Sequence, residues 1–176
     1  MNFIKESDEV YRTRGTLAKV TGEDIAFLKE RAAENERKRV RLCAHPDSTD
    51  LLHEMLIIHV RNVYVPPHKH INKSESFHIV EGRLSVFLFD NEGRITETIR
   101  MGDVGSGRVF YYRLSSSQYH SVLPESEFVV FHEVTNGPFY RQDMIFAPWA
   151  PSEEDHRTKK EFVKMLFNEI QGGKNG

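Results

Sequence analysis

Short runs of β-branched and aromatic residues, separated by glycines and turn residues, fill the chain between Val40 and Val134. The clearest runs lie at 55–60, 63–65, 84–89, 94–99, 109–114 and 128–134. Many short strands at this spacing, without interleaved helical periodicity, are typical of an antiparallel sandwich or barrel. Asp90–Gly93 is a turn between two of the runs and predicts a hairpin with one buried and one solvated face. The sequence therefore predicts a mainly β fold.

Helical patterns flank this β region on both sides. Thr21 with Asp24 three residues later forms a capping box and predicts a helix over about 22–37. Ser152 with Asp155 is a second capping signal, followed by an apolar stripe that we expect to pack on the barrel or on a partner chain. The stripe comprises Phe162, Met165, Leu166 and Ile170.

These patterns divide the 176-residue chain into three parts. We interpret 1–38 as an N-terminal extension with a helix, 39–150 as the barrel, and 151–176 as a C-terminal helix with a tail. A chain of this length can bury a sizeable core as one domain.

Composition and charge argue against several classes of partner. The net charge is −2, so there is no basic surplus to bind nucleic acid. No apolar run approaches the roughly 20 residues that span a bilayer, and the first residues contain no apolar signal core. Cys43 is the single cysteine, which excludes an intrachain disulfide. We expect no nucleic-acid or membrane partner and a cytoplasmic location.

The segment around His68 and His70 carries the strongest chemical signal. Residues two apart on a strand point to the same face, so both imidazoles can reach one ion. A turn after them would let the next strand bring Glu75 beside the pair, and a distant strand should supply His120, with His132 as the alternative. Imidazoles with a carboxylate suit one divalent transition metal (Fe, Mn, Ni, Co or Zn) better than Mg or Ca.

His68-x-His70, Glu75 after four residues and Gly82 after six more resemble the first signature motif of the cupin superfamily. The resemblance implies a double-stranded β-helix, or jelly-roll barrel, with the metal inside it. It also implies a homodimer. The stretch corresponding to the second motif, Ser115–His120, lacks the proline and glycine that usually precede its histidine.

Further segments resemble the WbuC group of cupin-fold metalloproteins. They lie at 39–45, 53–57, 64–70, 73–77, 89–93, 137–140 and 146–151. This resemblance covers most of the chain. It implies a metal site and an association with bacterial surface-polysaccharide (O-antigen) gene sets, and it implies no particular reaction.

Four residues are candidate substrate contacts. Tyr64 is in phase with the two histidines and can line the pocket, unless the prolines at 66 and 67 break the alternation. Arg41 and Arg61 can bind a phosphate or carboxylate through their planar guanidinium groups, or can be ordinary solvated charges. Lys73 lies in the predicted turn of the metal motif.

The remaining histidines have simpler interpretations. His78 lies an odd number of residues from the motif glutamate and should face the other way. His53 and His59 lie in apolar surroundings and are interpreted as core or edge residues. Cys43 and His45 share a face, but two ligands make a poor zinc site, so we interpret them as a buried thiol and a capping imidazole.

Three functions remain open from the sequence. The first is a metal-dependent sugar or nucleotide-sugar isomerase or epimerase, in which the metal acts as a Lewis acid on a small-molecule substrate. The second is an Fe(II)-dependent dioxygenase. The third is a non-catalytic module that binds a small molecule or regulates a partner. No catalytic residue is assigned.

Overall fold

A computed structural model of the chain describes residues 3–172, so the predicted tail after Gly172 lies outside it. The strands are β1 (Phe3–Lys5), β2 (Val10–Thr13), β3 (Arg39–Cys43), β4 (Leu52–Val60), β5 (His68–His70), β6 (Glu75–Glu81), β7 (Arg83–Phe89), β8 (Ile95–Gly102), β9 (Tyr111–Leu114), β10 (Tyr119–Pro124), β11 (Phe128–Asn136) and β12 (Met144–Phe146). The helices are α1 (Gly22–Glu34) and α2 (His156–Gly172), with short 3-10 turns at Val104–Ser106 and Arg141–Asp143.

The strands form two sheets that face each other. The larger sheet has the order β1-β2-β3-β4-β11-β6-β9 and the smaller sheet has the order β12-β5-β10-β7-β8. Strands far apart in sequence are neighbours, as in the β4–β11 and β5–β10 pairs, and among the paired strands within residues 3–172 only β2 and β3 run parallel. This crossing connectivity is that of a jelly roll. The mainly β fold with two terminal helices is confirmed.

One part of the barrel interior is a continuous apolar core. Its members come from both sheets and include Phe77, Ile79, Val86, Met101 and Phe131, all at most 4% exposed. Burying each such side chain stabilises the fold by roughly 1.5–3 kcal/mol. The core thus fixes the distance between the sheets.

Helix α1 covers the outer face of the large sheet. Its predicted capping box is confirmed, because Thr21 Oγ1 accepts from the Asp24 amide and the Asp24 carboxylate accepts from the Thr21 amide. Leu28 and Ala32 are fully buried against the sheet. The helix ends at Glu34 rather than near 37, because the chain must turn there to enter β3.

Helix α2 packs on the outer face of the small sheet. Leu166 and Ile170 are buried beside the aromatic side chains of β7, as the stripe predicts, but Met165 is 40% exposed. The predicted cap at Ser152 is wrong. The Asp155 carboxylate accepts from the amides two and three residues further on, so the helix begins one residue after Asp155.

The predicted hairpin is confirmed as β7 and β8, which pair antiparallel across the Asp90–Gly93 turn. The predicted solvated face is wrong for β7, because α2 covers the outward side chains of this strand. The run at 63–65 is wrong as a strand, because it is irregular and leads into Pro66 and Pro67, which have no amide to donate to a sheet. β1 and β2 hydrogen-bond to the edge of the large sheet, and the division of the chain at residue 38 stays a prediction. Within residues 3–172, neither helix combines the length and apolar character needed to cross a bilayer.

Candidate metal centre and adjoining cavity

The candidate site lies between the two sheets. Strand β5 contributes His68 and His70, and β10 places His120 directly opposite His68 in the antiparallel register. Glu75 comes from the first position of β6 in the other sheet. The site therefore joins residues from both walls of the barrel.

Four side chains converge on one point. The three histidines offer ligand nitrogens that all lie within 4.8 Å of one another. Glu75 Oε1 lies 2.9 Å from His120 Nε2, and Glu75 Oε2 lies 3.4 Å from His70 Nε2. Donors that share one ion at about 2.1 Å in a tetrahedral arrangement lie roughly 3.4 Å apart. The two separations between Glu75 and the histidine nitrogens are of the size that a shared ion requires.

The orientation of His120 tests whether these residues fit a metal. Its Nε2 is buried and has no hydrogen-bond partner, because the contact with Glu75 lacks the alignment of a hydrogen bond. Its Nδ1–H donates to the Gln118 carbonyl (3.0 Å), and His68 Nδ1–H donates to the Pro66 carbonyl (2.8 Å). Metal-binding histidines commonly use the second nitrogen in this way, which leaves the Nε2 lone pair for the ion. The donor set fits a transition metal.

The pKa values of His68 and Glu75 are shifted in the direction that metal ligation requires. Burial, together with the neighbouring His120, lowers the pKa of His68 to about 3, so the imidazole is neutral. Burial opposes ionisation of Glu75, but His120 and His70 outweigh it and hold the pKa of this carboxyl well below its usual range. Burial opposes protonation of His120, but Glu75 outweighs it and raises the pKa of this imidazole, so a metal ion would compete with a proton for it. A neutral imidazole and an ionised carboxylate are the forms that bind metals.

Tyr112 holds Glu75 in place. Its hydroxyl donates to Glu75 Oε1 at 3.0 Å, and its ring packs edge-on against Phe77 with centroids 5.1 Å apart. Sequence reasoning missed this residue. Alternation along β9 separates the two tyrosines, since Tyr111 is 51% exposed and Tyr112 is 8% exposed. That Tyr112 faces Glu75, however, follows only from the pairing of β9 with β6.

A cavity of about 760 Å³ adjoins the four ligand candidates. Its walls are formed largely by the inner faces of β3, β4 and β11. They include Arg39, Arg41, Cys43, His53, Met55, Ile57, His59, Phe131, Glu133 and Thr135.

Two of the four predicted substrate contacts line this cavity. Arg41 lies on its wall and remains exposed to solvent. Lys73 lies at the rim, where its ammonium donates to the carbonyls of Asn136 and Pro138 at 2.8 Å each. Sequence reasoning did not single out Glu133, which lies between the metal candidates and Arg41.

The structure corrects the placement of Tyr64 and Arg61, neither of which lines the cavity. The Tyr64 hydroxyl donates to the Pro151 carbonyl at 2.6 Å, and its ring packs on Phe162 of α2. The prolines before β5 break the alternation that put Tyr64 in phase with the histidines. Arg61 follows the end of β4, and its guanidinium lies over the ring of Phe167, 5.8 Å from the centroid.

Two further histidines, His132 and His78, face away from the cavity. His132, the alternative ligand, lies on the face of β11 opposite to that of Glu133, with its Nε2 3.6 Å from the Glu54 carboxylate. His132 therefore cannot serve as the fourth ligand at this site. His78 is exposed beside Phe110, as its position in the strand predicts.

His53 and His59 are buried, at 5% and 6% exposure, as expected for core or edge residues, but both also line the cavity. His45 stacks on His53 with centroids 4.1 Å apart, and its Nδ1 hydrogen-bonds to the Glu54 carbonyl. Cys43 is buried, and burial raises the pKa of its thiol. The cluster of metal-ligand type found within residues 3–172 includes neither Cys43 nor His45.

Comparison with known proteins places the fold. Residues 20–101 match a family model described as a domain of unknown function, DUF6016. No curated protein sequence matches the chain. Among solved structures, protein SO0799 from Shewanella oneidensis has a TM-score of 0.50 and 16% identity, covering 70% of this chain and 78% of that one.

Two further structures are similar at lower scores. Oxalate decarboxylase from Bacillus subtilis has a TM-score of 0.45 and 19% identity over 56% of this chain, which spans 24% of that enzyme. The cupin domain of Schizosaccharomyces pombe Cnp3 has a TM-score of 0.45 and 14% identity, covering 57% of this chain and 66% of that one. Identities this low concern the fold alone. The jelly-roll assignment itself rests on the strand order and pairing of this chain.

Proposed function

We propose that His68, His70, Glu75 and His120 bind one divalent transition metal, and that the protein acts on a sugar or nucleotide-sugar as an isomerase or epimerase. One observation carries the proposal. Four buried or half-buried donors converge at the wall of a cavity of about 760 Å³, large enough for a small organic molecule.

The donor set narrows the choice of ion. Three imidazole nitrogens and one carboxylate oxygen suit Fe, Mn, Ni or Zn and leave room for a substrate oxygen. Such an ion supplies Lewis acidity that polarises a carbonyl or hydroxyl group.

Isomerisation and epimerisation both move a proton, and Glu133 is our candidate to carry it. Its carboxyl group faces the cavity and makes no hydrogen bond with any residue from 3 to 172. Burial, together with the negative charge of Glu75, raises the pKa of Glu133 to about 8. A carboxyl group that titrates near neutral pH can both accept and return a proton.

The resemblance to the WbuC group supports a sugar of bacterial surface polysaccharide as the substrate, and a cytoplasmic location belongs to the same proposal. We propose a homodimer as well. Strand β9 is an edge of the large sheet, and Phe110 and Tyr111 beside it are 46% and 51% exposed. Exposed aromatic residues at a sheet edge favour pairing with a second chain. Light scattering of the purified protein would give a monomer mass if this part is wrong.

Metal-reconstituted protein is to be incubated with a panel of nucleotide-sugars in D₂O and followed by NMR and mass spectrometry. We expect solvent deuterium to enter one substrate at a single carbon, only with metal. The Glu133→Gln variant should keep its metal and lose the exchange, while His68→Ala/His70→Ala should lose both. If no nucleotide-sugar is turned over in a metal-dependent way, the enzymatic proposal fails. Oxygen uptake with Fe(II) would favour the dioxygenase alternative instead.

A further inference from the structure

The cavity wall contains polar groups that the protein leaves without partners. His53 Nε2 and His59 Nδ1 are buried and have no hydrogen-bond partner. The side chains of Arg41 and Glu133 make no hydrogen bond or ion pair with any residue from 3 to 172. Buried polar groups are normally satisfied by protein, water or a ligand, so this wall is built to contact something polar.

Arg41 differs from the arginines beside it. Arg12 pairs with Glu6 at 2.5 Å, and Arg39 pairs with Glu9 at 3.1 Å. Burial lowers the pKa of His59 to about 3, so this neutral ring brings no charge of its own. The Arg41 guanidinium thus forms no ion pair within residues 3–172 and acts only at longer range on the carboxyl groups of Glu133 and Glu6, whereas Arg141, also on the lining, lies over the ring of Phe146. A guanidinium group binds a carboxylate or phosphate through two parallel hydrogen bonds.

The strand register gives the order of these groups along the cavity. Glu75 pairs with Thr135, which pairs with His53. Residues that pair across the sheet and face the interior form one row. Glu133 belongs to the row next to that of Glu75, and Arg41 belongs to the following row, because it pairs with Ile57, which pairs with Phe131. Inner-face rows are about 6.8 Å apart and neighbouring strands about 4.8 Å apart. The backbone of Arg41 therefore lies two rows, roughly 14 Å, along the strands and three strands, roughly 14 Å, across the sheet from that of Glu75, and the side chains of both residues shorten the gap.

We infer that Arg41 binds the anionic group of an elongated polyhydroxy compound whose other end reaches the histidine cluster. Glu133 and His53 would hydrogen-bond to hydroxyl groups in between. The ligand class is a sugar carrying a phosphate or a carboxylate, since both anions fit the same guanidinium group. The metal end of this arrangement rests on the proposed function, but the anion end does not.

Isothermal titration of metal-loaded and metal-free protein with four probes tests the inference. The probes are D-glucose 6-phosphate, D-gluconate, inorganic phosphate and neutral D-glucose. We expect at least one of the two anionic sugars to bind at least tenfold more tightly than glucose, and the tighter of the two identifies the anion. Arg41→Gln should weaken that binding at least tenfold, and Arg41→Lys should weaken it less.

Arg61→Gln is the matched control, because Arg61 lies outside the cavity on the ring of Phe167. Arg41 is exposed, so its variants should fold, which circular dichroism checks. Equal losses in Arg41→Gln and Arg61→Gln, equal affinity for charged and neutral sugars, or no binding of any anion by the parent would overturn the inference. Arg41-dependent phosphate binding in a protein that takes up no metal would refute only the proposed function. Bound metal with Arg41-independent sugar binding would refute only the inference.

Discussion

Replacing Tyr112 with phenylalanine removes one hydroxyl group from behind the candidate metal site. That hydroxyl donates to Glu75 Oε1 at 3.0 Å, and the residue is only 8% exposed. Phenylalanine keeps the ring and its packing on Phe77, so the change opens no cavity in the core. The variant therefore isolates the effect of one hydrogen bond on the orientation and charge of Glu75.

The size of the effect follows from that bond. A hydrogen bond to an ionised group contributes about 1.5–3 kcal/mol, and loss of a partner that orients a ligand weakens metal affinity roughly 10- to 100-fold. At a metal concentration of 100 times the parent Kd, binding stabilises the parent by about 2.7 kcal/mol. The variant would gain only about 0.4–1.4 kcal/mol at the same concentration. At about 3 °C per kcal/mol, the metal-induced rise in Tm falls from about 8 °C to between about 1 and 4 °C.

The assay is a thermal scan with and without Zn(II), together with a competition titration against a chelator of known affinity. Tyr111→Phe is the control, because Tyr111 precedes Tyr112 on β9 but is 51% exposed. The reasoning is refuted if the metal affinities of the two variants agree within about threefold. Loss of a residue that hydrogen-bonds to a metal ligand is expected to weaken metal affinity by more than that.

Three stability predictions rest on other parts of the barrel and are read by urea unfolding. Gly82→Ala should cost about 2–5 kcal/mol, because Gly82 has φ +86° and an added Cβ would lie 2.4 Å from a carbonyl oxygen of β11. Gly107→Ala, at φ +70° in open space, should cost only about 1–2 kcal/mol, and equal losses would contradict the clash. Leu166→Ala should cost about 2–5 kcal/mol and the exposed Met165→Ala well under 1, a difference that vanishes if α2 does not dock on the small sheet. Burial raises the pKa of Glu125, but its bonds to two arginines and a serine outweigh this and lower it below 4.5. The contribution of Glu125 to stability is therefore present above pH 4.5 and is lost as the pH falls through the folded-state pKa. Glu125→Gln should make the free energy of unfolding fall less steeply below pH 4.5, and a slope equal to that of the parent would contradict this prediction.

Local patterns in the sequence were enough to predict the parts of the site that lie close together in the chain. His68 and His70 share a face because the side chains of a strand alternate, and the short turn after them brings Glu75 back. His120 lacks the proline and glycine usual before such a histidine. Its position comes from the register of β10 on β5, which places it opposite His68.

The cavity could not be predicted in the same way. Glu133 and His53 belong to its wall only because β11 pairs with both β4 and β6, a long-range arrangement that no local pattern specifies. The prediction for Tyr64 was wrong for the opposite reason. It extended the alternation of side chains in a strand across Pro66 and Pro67, where the chain is not a strand. At α2, the sequence analysis predicted Ser152 as the cap with Asp155 three residues later, but the Asp155 carboxylate itself accepts from the first helical amides.

The central claim is that the two sheets together bind one metal ion. Elemental analysis of protein purified without a polyhistidine tag tests it most directly, beside His68→Ala/His70→Ala and the outward-facing control His132→Ala. We expect about one equivalent of Fe, Mn, Ni or Zn per chain in the parent and in His132→Ala, and none in the double variant. A folded parent that contains no metal and takes up none when these ions are added would contradict the account.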